Sequence, residues 1–127
     1  MGSVVRALVL ADTHVSEGST RQLPDQVWAA MSDVDVVLAD VPIALVHETG
    51  TTAGRERRMQ KWFPDARVVI FGHSHMPCNR WVDRQLLFNP GSSTWKRTAP
   101  SHTYGVLEFA AGEVVLHEIV AIAQRTA

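Results

Sequence analysis

Two apolar runs in this chain each end in a pair of metal-ligand side chains. Val-Val-Arg-Ala-Leu-Val-Leu-Ala leads into Asp12-Thr13-His14, and Arg-Val-Val-Ile-Phe-Gly leads into His73-Ser74-His75. Each run has the β-branched and leucine texture of a buried strand. On extended backbone, residues i and i+2 point the same way, so each pair is expected to grip one ion. One pair alone is a weak signal. Two pairs, each closing a buried run, point to a metal centre and constrain the fold to strands that stop at a shared site.

Length and charge narrow the setting. At 127 residues the chain is one domain, 1–127, large enough for its own core and too small for two. A net charge of −1 gives no electrostatic case for nucleic acid or an anionic membrane, so local charge such as a metal must hold any phosphate ligand. The single cysteine, Cys78, permits no internal disulfide and suits a reducing compartment. No charged segment followed by a long apolar run opens the chain, and no stretch is long enough to cross a bilayer. A soluble cytoplasmic protein is expected.

Further along, Ser16 to Gln22 reads as loop, and Pro24 suits the first turn of a helix burying Val27, Trp28, Ala30 and Met31. Val34 to Leu38 and Ile43 to Val46 read as short strands, the latter ending in His47-Glu48-Thr49-Gly50. Thr51 or Thr52 is placed to cap a helix reaching Trp62, with Arg55, Glu56, Arg58 and Lys61 in solvent. Arg67 to Phe71 is the next strand. Hairpins follow at Arg80–Val82 with Gln85–Phe88, and at Tyr104–Phe109 with Glu113–Ile119. Alternating strands and helices, then hairpins, indicate a mixed α/β layered domain.

Val-Leu-Ala-Asp-Thr-His, Val-His-Glu-Thr-Gly, Phe-Gly-His-Ser-His and Phe-Asn-Pro-Gly-Ser, in that order, resemble the calcineurin-like metallophosphoesterases. The match is to their small bacterial and archaeal phosphodiesterase branch, which includes the retromer's phosphoesterase-like subunit. The resemblance implies a β-sandwich of mixed sheets flanked by helices, with two divalent ions at strand C-termini. It implies Asp12, His14 and His75 on the first ion and His47 and His73 on the second, with Asp12, His14 and His47 taking part in catalysis. Asn89 to Ser92 would close the rim, placing Asn89 and Gly91 against substrate. Imidazole and carboxylate suit Mn, Fe, Zn or Ni better than Ca. Mn2+ is the first expectation, one or two ions per site, with Mg also compatible. Two ions would clamp a phosphate and activate a water between them.

The chain also departs from that family. The Gly-Asp motif that supplies the bridging aspartate and the later Gly-Asn motif are both missing. About one strand–helix–strand unit is lacking between Leu38 and Ile43. Asp40 stands either as a substitute metal ligand or as the polar turn residue before the His47 strand, and the apolar Val41-Pro42-Ile43 favours the turn. Co-directional strands need a crossover of about a dozen residues. A hairpin here would turn His47 away, so a domain-swapped homodimer hinged at 38–43 is expected to restore each site in trans.

Other residues carry blander readings. His102 and His117 read as surface histidines, and Cys78 as a half-buried thiol rather than a soft ligand. Arg55, Arg57 and Arg58 read as a solvated basic face rather than a phosphate contact. Trp81 and Trp95 default to core packing, with an exposed partner surface as the alternative. Glu48 either orients a ligand or faces solvent. The function that follows is metal-dependent hydrolysis of a phosphodiester or activated phosphomonoester in a small phosphate-containing substrate. The competing reading is a degenerate scaffold that has lost catalysis.

Overall fold

A computed structural model describes residues 4–13, 24–27 and 41–123. The strand expected at Val34–Leu38, most of the helix after Pro24, the loop at 16–22, His14, Asp40 and part of the 38–43 hinge lie outside the described residues.

Seven strands and one full helix are described: β1 (Val5–Val9), β2 (Ile43–Val46), α1 (Arg55–Trp62), β3 (Val68–Phe71), β4 (Cys78–Val82), β5 (Gln85–Asn89), β6 (Thr103–Ala110) and β7 (Glu113–Ala121). They make two sheets, ordered β1-β6-β7 and β2-β3-β5-β4. The first is antiparallel throughout. In the second, β2, β3 and β5 run parallel and β4 is antiparallel to β5. The mixed-sheet sandwich read from the sequence is therefore the architecture observed.

Period-two alternation sorts the side chains into layers. Ala7 and Val9 from β1 meet Val68, Leu86, Phe88, Leu107 and Phe109 between the sheets. Val69, Phe71 and Leu87 face the other way, onto Met59 of α1. On the far side of the first sheet, Tyr104 and Val106 pack with Val27, which stands in helical backbone at 25–27. A bulge keeps β7 in this scheme: Glu108 pairs with Leu116 while Phe109 pairs with Val114, so Val115 is the extra residue. The slip flips the pleat, sending Val114 to the inter-sheet core and Leu116 to the outer cluster.

α1 starts differently from the sequence expectation. Its N-cap is Gly54 at φ 77, with no side-chain cap, in place of Thr51 or Thr52. Arg58 takes over the ordering of this entry. Its Nε donates to Thr49 O at 2.8 Å, its Nη1 to Ala53 O at 2.9 Å and its Nη2 to Thr51 O. Arg55 donates to Thr49 Oγ1 at 2.8 Å, and its guanidinium lies 4.8 Å from the Phe71 ring centre. These two arginines are thus tied to the loop after β2, and only Arg57 of the three keeps the expected solvated role.

The outer edges of β1 and β2 have no strand neighbour among the described residues. Between them opens an apolar cavity of about 430 Å³ lined by Ala7, Val9, Ile43, Leu45, Ile70 and Phe109 among others. Leu45, on the edge strand, is 76 % exposed.

Candidate metal centre

β1, β2, β3 and β5 all end at one rim of the sandwich, and each end delivers a site residue: Asp12, His47, His73 and Asn89. Parallel pairing of β2 with β3 brings the first histidines together, and Gly72 N donates to His47 O at 3.0 Å to continue it. The Asp12 strand joins from the other sheet through a parallel bridge between Ala11 and Ser92.

Asp12 is the hub. Its carboxylate is 1 % exposed and accepts the His73 backbone N–H at 3.0 and 2.8 Å. Gly72 makes the approach possible, since a Cβ there would stand 2.9 Å from Asp12 Oδ2. Three histidines surround the carboxylate. His75 Nε2 and His47 Nδ1 each lie 3.8 Å from Asp12 Oδ1. His47 Nε2 lies 3.3 Å from His73 Nδ1, and His73 Nε2 is 4.0 Å from Glu48 Oε1.

Donor–acceptor arithmetic shows what this cluster lacks. His75 Nδ1 donates to the Trp95 carbonyl, so in the neutral ring Nε2 is a lone pair facing a carboxylate oxygen. The His47–His73 contact has two tautomeric forms. If His47 donates, its Nδ1 lone pair faces Asp12; if His73 donates, its Nε2 lone pair faces Glu48. Either way one ring nitrogen presents a lone pair toward a carboxylate, the kind of donor set that suits a cation. Two atoms bound at about 2.1 Å to one tetrahedral ion are about 3.4 Å apart, close to the spacings here. Asp12, His75 and His47 suit a cation in chemistry, and each histidine nitrogen is 3.8 Å from the same Asp12 oxygen. No group of three such side chains among the described residues is closed on one point as an ion would require.

The i, i+2 pincer is not how His73 and His75 work. Both have left-handed backbone, φ 77 and 64, because the chain turns sharply after β3 instead of staying extended. His75 is 1 % exposed and faces Asp12, whereas His73 is 51 % exposed and faces His47 and Glu48. The pair therefore diverges toward two places. Among the described residues six non-glycines have positive φ, and Asp12, His73, His75 and Arg97 are four of them. Such strain gathers where surrounding structure over-determines the backbone, as it does at binding sites.

The Asn89–Ser92 loop is tied down by its own side chains. Asn89 is fully buried; its Oδ1 accepts Gly91 N at 2.9 Å and its Nδ2 donates to Ser74 Oγ at 3.4 Å. Gly91 is buried as well. Both residues thus serve to hold the loop in place beside the site. Ser92 Oγ donates to Asp12 O at 2.8 Å and accepts Trp95 N at 2.9 Å, and Thr94 Oγ1 donates to Thr13 O. These contacts lock the Asp12 turn to the second sheet.

His47 is not turned away from the site. Within one chain His47 stands beside Asp12 and His73. Glu48 is 61 % exposed and its Oε1 lies 4.0 Å from His73 Nε2, with no hydrogen bond or ion pair to His47 among the described residues. Cys78 packs beneath α1, and burial pushes its thiol pKa up, partly opposed by Arg55. Trp81 and Trp95 are both partly exposed, at 41 % and 39 %. His117 is more than a solvated histidine: it accepts Trp81 Nε1–H at 3.2 Å and holds Asn79 at 2.7 Å. Sequence reasoning passed over Trp95 as a partner of His75 because a backbone carbonyl has no residue signature. It passed over Arg97 because one more basic residue in a loop carries no pattern.

Comparisons with known proteins agree with this architecture. The model of the calcineurin-like phosphoesterase superfamily domain matches residues 32–112. No curated protein gives a sequence match. Among solved structures, a Thermotoga maritima protein solved by NMR is 21 % identical, with a TM-score of 0.59 over 93 % of this chain and 99 % of its own. A single mutant of Vps29 from Entamoeba histolytica is 16 % identical, with a TM-score of 0.56 over 95 % and 100 %. Wild-type Vps29 from the same organism, complexed with Zn2+, is 16 % identical, with a TM-score of 0.55 over 94 % and 99 %. At these identities the likeness is one of fold. No described helix is long and apolar enough to cross a membrane.

Proposed function

The chain belongs to the calcineurin-like phosphoesterase superfamily, and from that premise we propose that it hydrolyses phosphoesters with divalent metal held by Asp12, His14, His47, His73 and His75. The substrate is a phosphodiester or an activated phosphomonoester. The observation that carries this reading is the buried Asp12 carboxylate, with His75 Nε2 and His47 Nδ1 each 3.8 Å from its Oδ1. A bound ion would supply Lewis acidity toward phosphoryl oxygens and water, and Mn2+ is the first choice for this donor set.

The protein's own contribution is positioning. The His73 amide and the Ser92 hydroxyl fix Asp12 at its side chain and its carbonyl, while Trp95 O fixes the His75 tautomer. Such outer contacts hold a ligand's lone pair in one direction before anything binds. His47, His73 and Glu48 are the exposed members, with His47 67 % open, so substrate approaches from their side. Leaving-group protonation falls to solvent, which favours esters with good leaving groups.

Metal content and hydrolysis of bis-p-nitrophenyl phosphate in Mn2+ test the proposal. Bound metal, with activity that drops at least about 100-fold in His75→Ala and in the more exposed His47→Ala, supports it. A second reading, a catalytically degenerate scaffold, is favoured by the lack of a closed three-ligand group among the described residues. Weak single-ion binding with no rate above background supports the scaffold. The homodimer remains a proposal, supported by the exposed Leu45 on β2, which has no strand neighbour on its outer edge among the described residues. Light scattering at twice 14.0 kDa supports it, and a mass of 14.0 kDa overturns it.

A further inference from the structure

The phosphoesterase reading leaves one well-anchored cation at the rim without a task. Arg97 follows Trp95 by two residues and adopts φ 50, a backbone disfavoured for a residue with a β-carbon. Its guanidinium carbon lies 5.0 Å from the Trp95 ring centre. Its Nη1 donates to the backbone oxygen of His73 at 3.2 Å. A solvated surface arginine needs neither the strained backbone nor the two anchors.

Comparison with the other arginines sharpens the point. Arg6 pairs with Glu108, Arg67 with Glu113 and Arg80 with Glu56. Arg55 and Arg58 are spent on the loop around Thr49. Arg97, like the exposed Arg57 and Arg84, pairs with no carboxylate among the described residues, but it donates to the backbone oxygen of His73, the residue whose ring meets His47. The indole face restrains the guanidinium plane, and His73 O takes one of its five N–H donors. A planar fork with donors to spare matches phosphate oxygens.

We infer that Arg97 binds the non-bridging oxygens of the substrate's phosphoryl group, with Trp95 as its positioning partner. This rests on the phosphoesterase reading and deepens it in one direction. A cation added at the rim benefits a monoester dianion more than a diester monoanion, so Arg97 biases the site toward phosphomonoesters.

The test uses the full chain in Mn2+ with p-nitrophenyl phosphate and its bis ester, comparing Arg97→Met and Arg97→Lys. Arg97→Met is expected to raise KM about tenfold for the monoester and about threefold for the diester. The kcat should stay within about twofold, and Arg97→Lys should recover part of the loss. Calorimetric titration with inorganic phosphate should weaken in step with the monoester KM, while Mn2+ affinity stays at the parent value. Unchanged KM, or a fall in Mn2+ affinity that tracks the KM rise, overturns the assignment and leaves the phosphoesterase reading intact. If the parent itself turns over neither ester, the phosphoesterase reading fails. Phosphate titration then decides for Arg97 alone: binding lost in Arg97→Met sustains an anion site, and equal binding removes it.

Discussion

Gly91→Ala should be among the most damaging single-methyl changes in this protein. A Cβ at Gly91 would stand 2.1 Å from Thr103 Oγ1 and 3.0 Å from Pro77 Cγ, with the backbone at φ 74. The left-handed backbone alone costs alanine about 1 kcal/mol against glycine. The proline ring cannot swing away, so the Thr103 side chain must. That hydroxyl donates to Pro90 O at 2.6 Å in a buried setting. Moving it leaves a buried carbonyl short of its partner, about 1–3 kcal/mol. The sum is about 2–4 kcal/mol, a large part of the roughly 5–15 kcal/mol that stabilises a domain. Thr103→Ala should cost about 1–3 kcal/mol by itself, and it empties the space the new methyl needs. The double variant should therefore be about 1–3 kcal/mol more stable than the two single losses added together, because the Thr103 loss is counted once. Urea unfolding followed by tryptophan fluorescence, with unchanged slope, measures all four corners of the cycle. A Gly91→Ala cost below about 1 kcal/mol, or additivity within about 0.5 kcal/mol, would refute the reasoning.

Two further outcomes are expected. Arg58→Met should lose about 1–2 kcal/mol and speed amide exchange through the 49–54 loop, whereas Arg57→Met should be neutral. Equal effects of the two would show that Arg58 does not order the entry to α1. Cys78 should react with a maleimide more slowly than a free thiol at neutral pH, because burial favours the neutral form. The sign for stability follows from the raised pKa. The contribution is present below the ordinary value of 9.0 and is lost as pH rises through the folded value. Cys78→Ala should flatten that alkaline loss, as read by unfolding at pH 8 and pH 10, and an unchanged slope would rule it out.

The strands were legible because their side chains alternate between two apolar layers. Ile43–Val46 is found where the apolar run places it, and both hairpins turn at the predicted residues. Residue types also pointed to the rim, since Asp12, His47, His73 and His75 come together. What stayed hidden was backbone conformation. His73-Ser74-His75 looks like an extended pincer, yet left-handed turns at both histidines send the rings to different partners. The start of α1 was misplaced for a related reason: capping rules favour Thr51 and Thr52, while arginine bonds from inside the helix govern the loop. The burial and tethering of Asn89 and Gly91 were also hidden, because motif spacing does not reveal which side chains a loop folds back on.

The tethers on Asp12 bear on how the molecule reaches its native state. The carboxylate is held by an amide 61 positions away, its carbonyl by a hydroxyl 80 positions away, and the next carbonyl by one 81 away. No local segment can rehearse such contacts, and each requires closing a loop of 61 to 81 residues. The rim should then be the last part to consolidate, after the β6–β7 and β4–β5 hairpins have formed from neighbouring sequence. A refolding experiment that follows His75 and the hairpin amides separately should see the hairpins first.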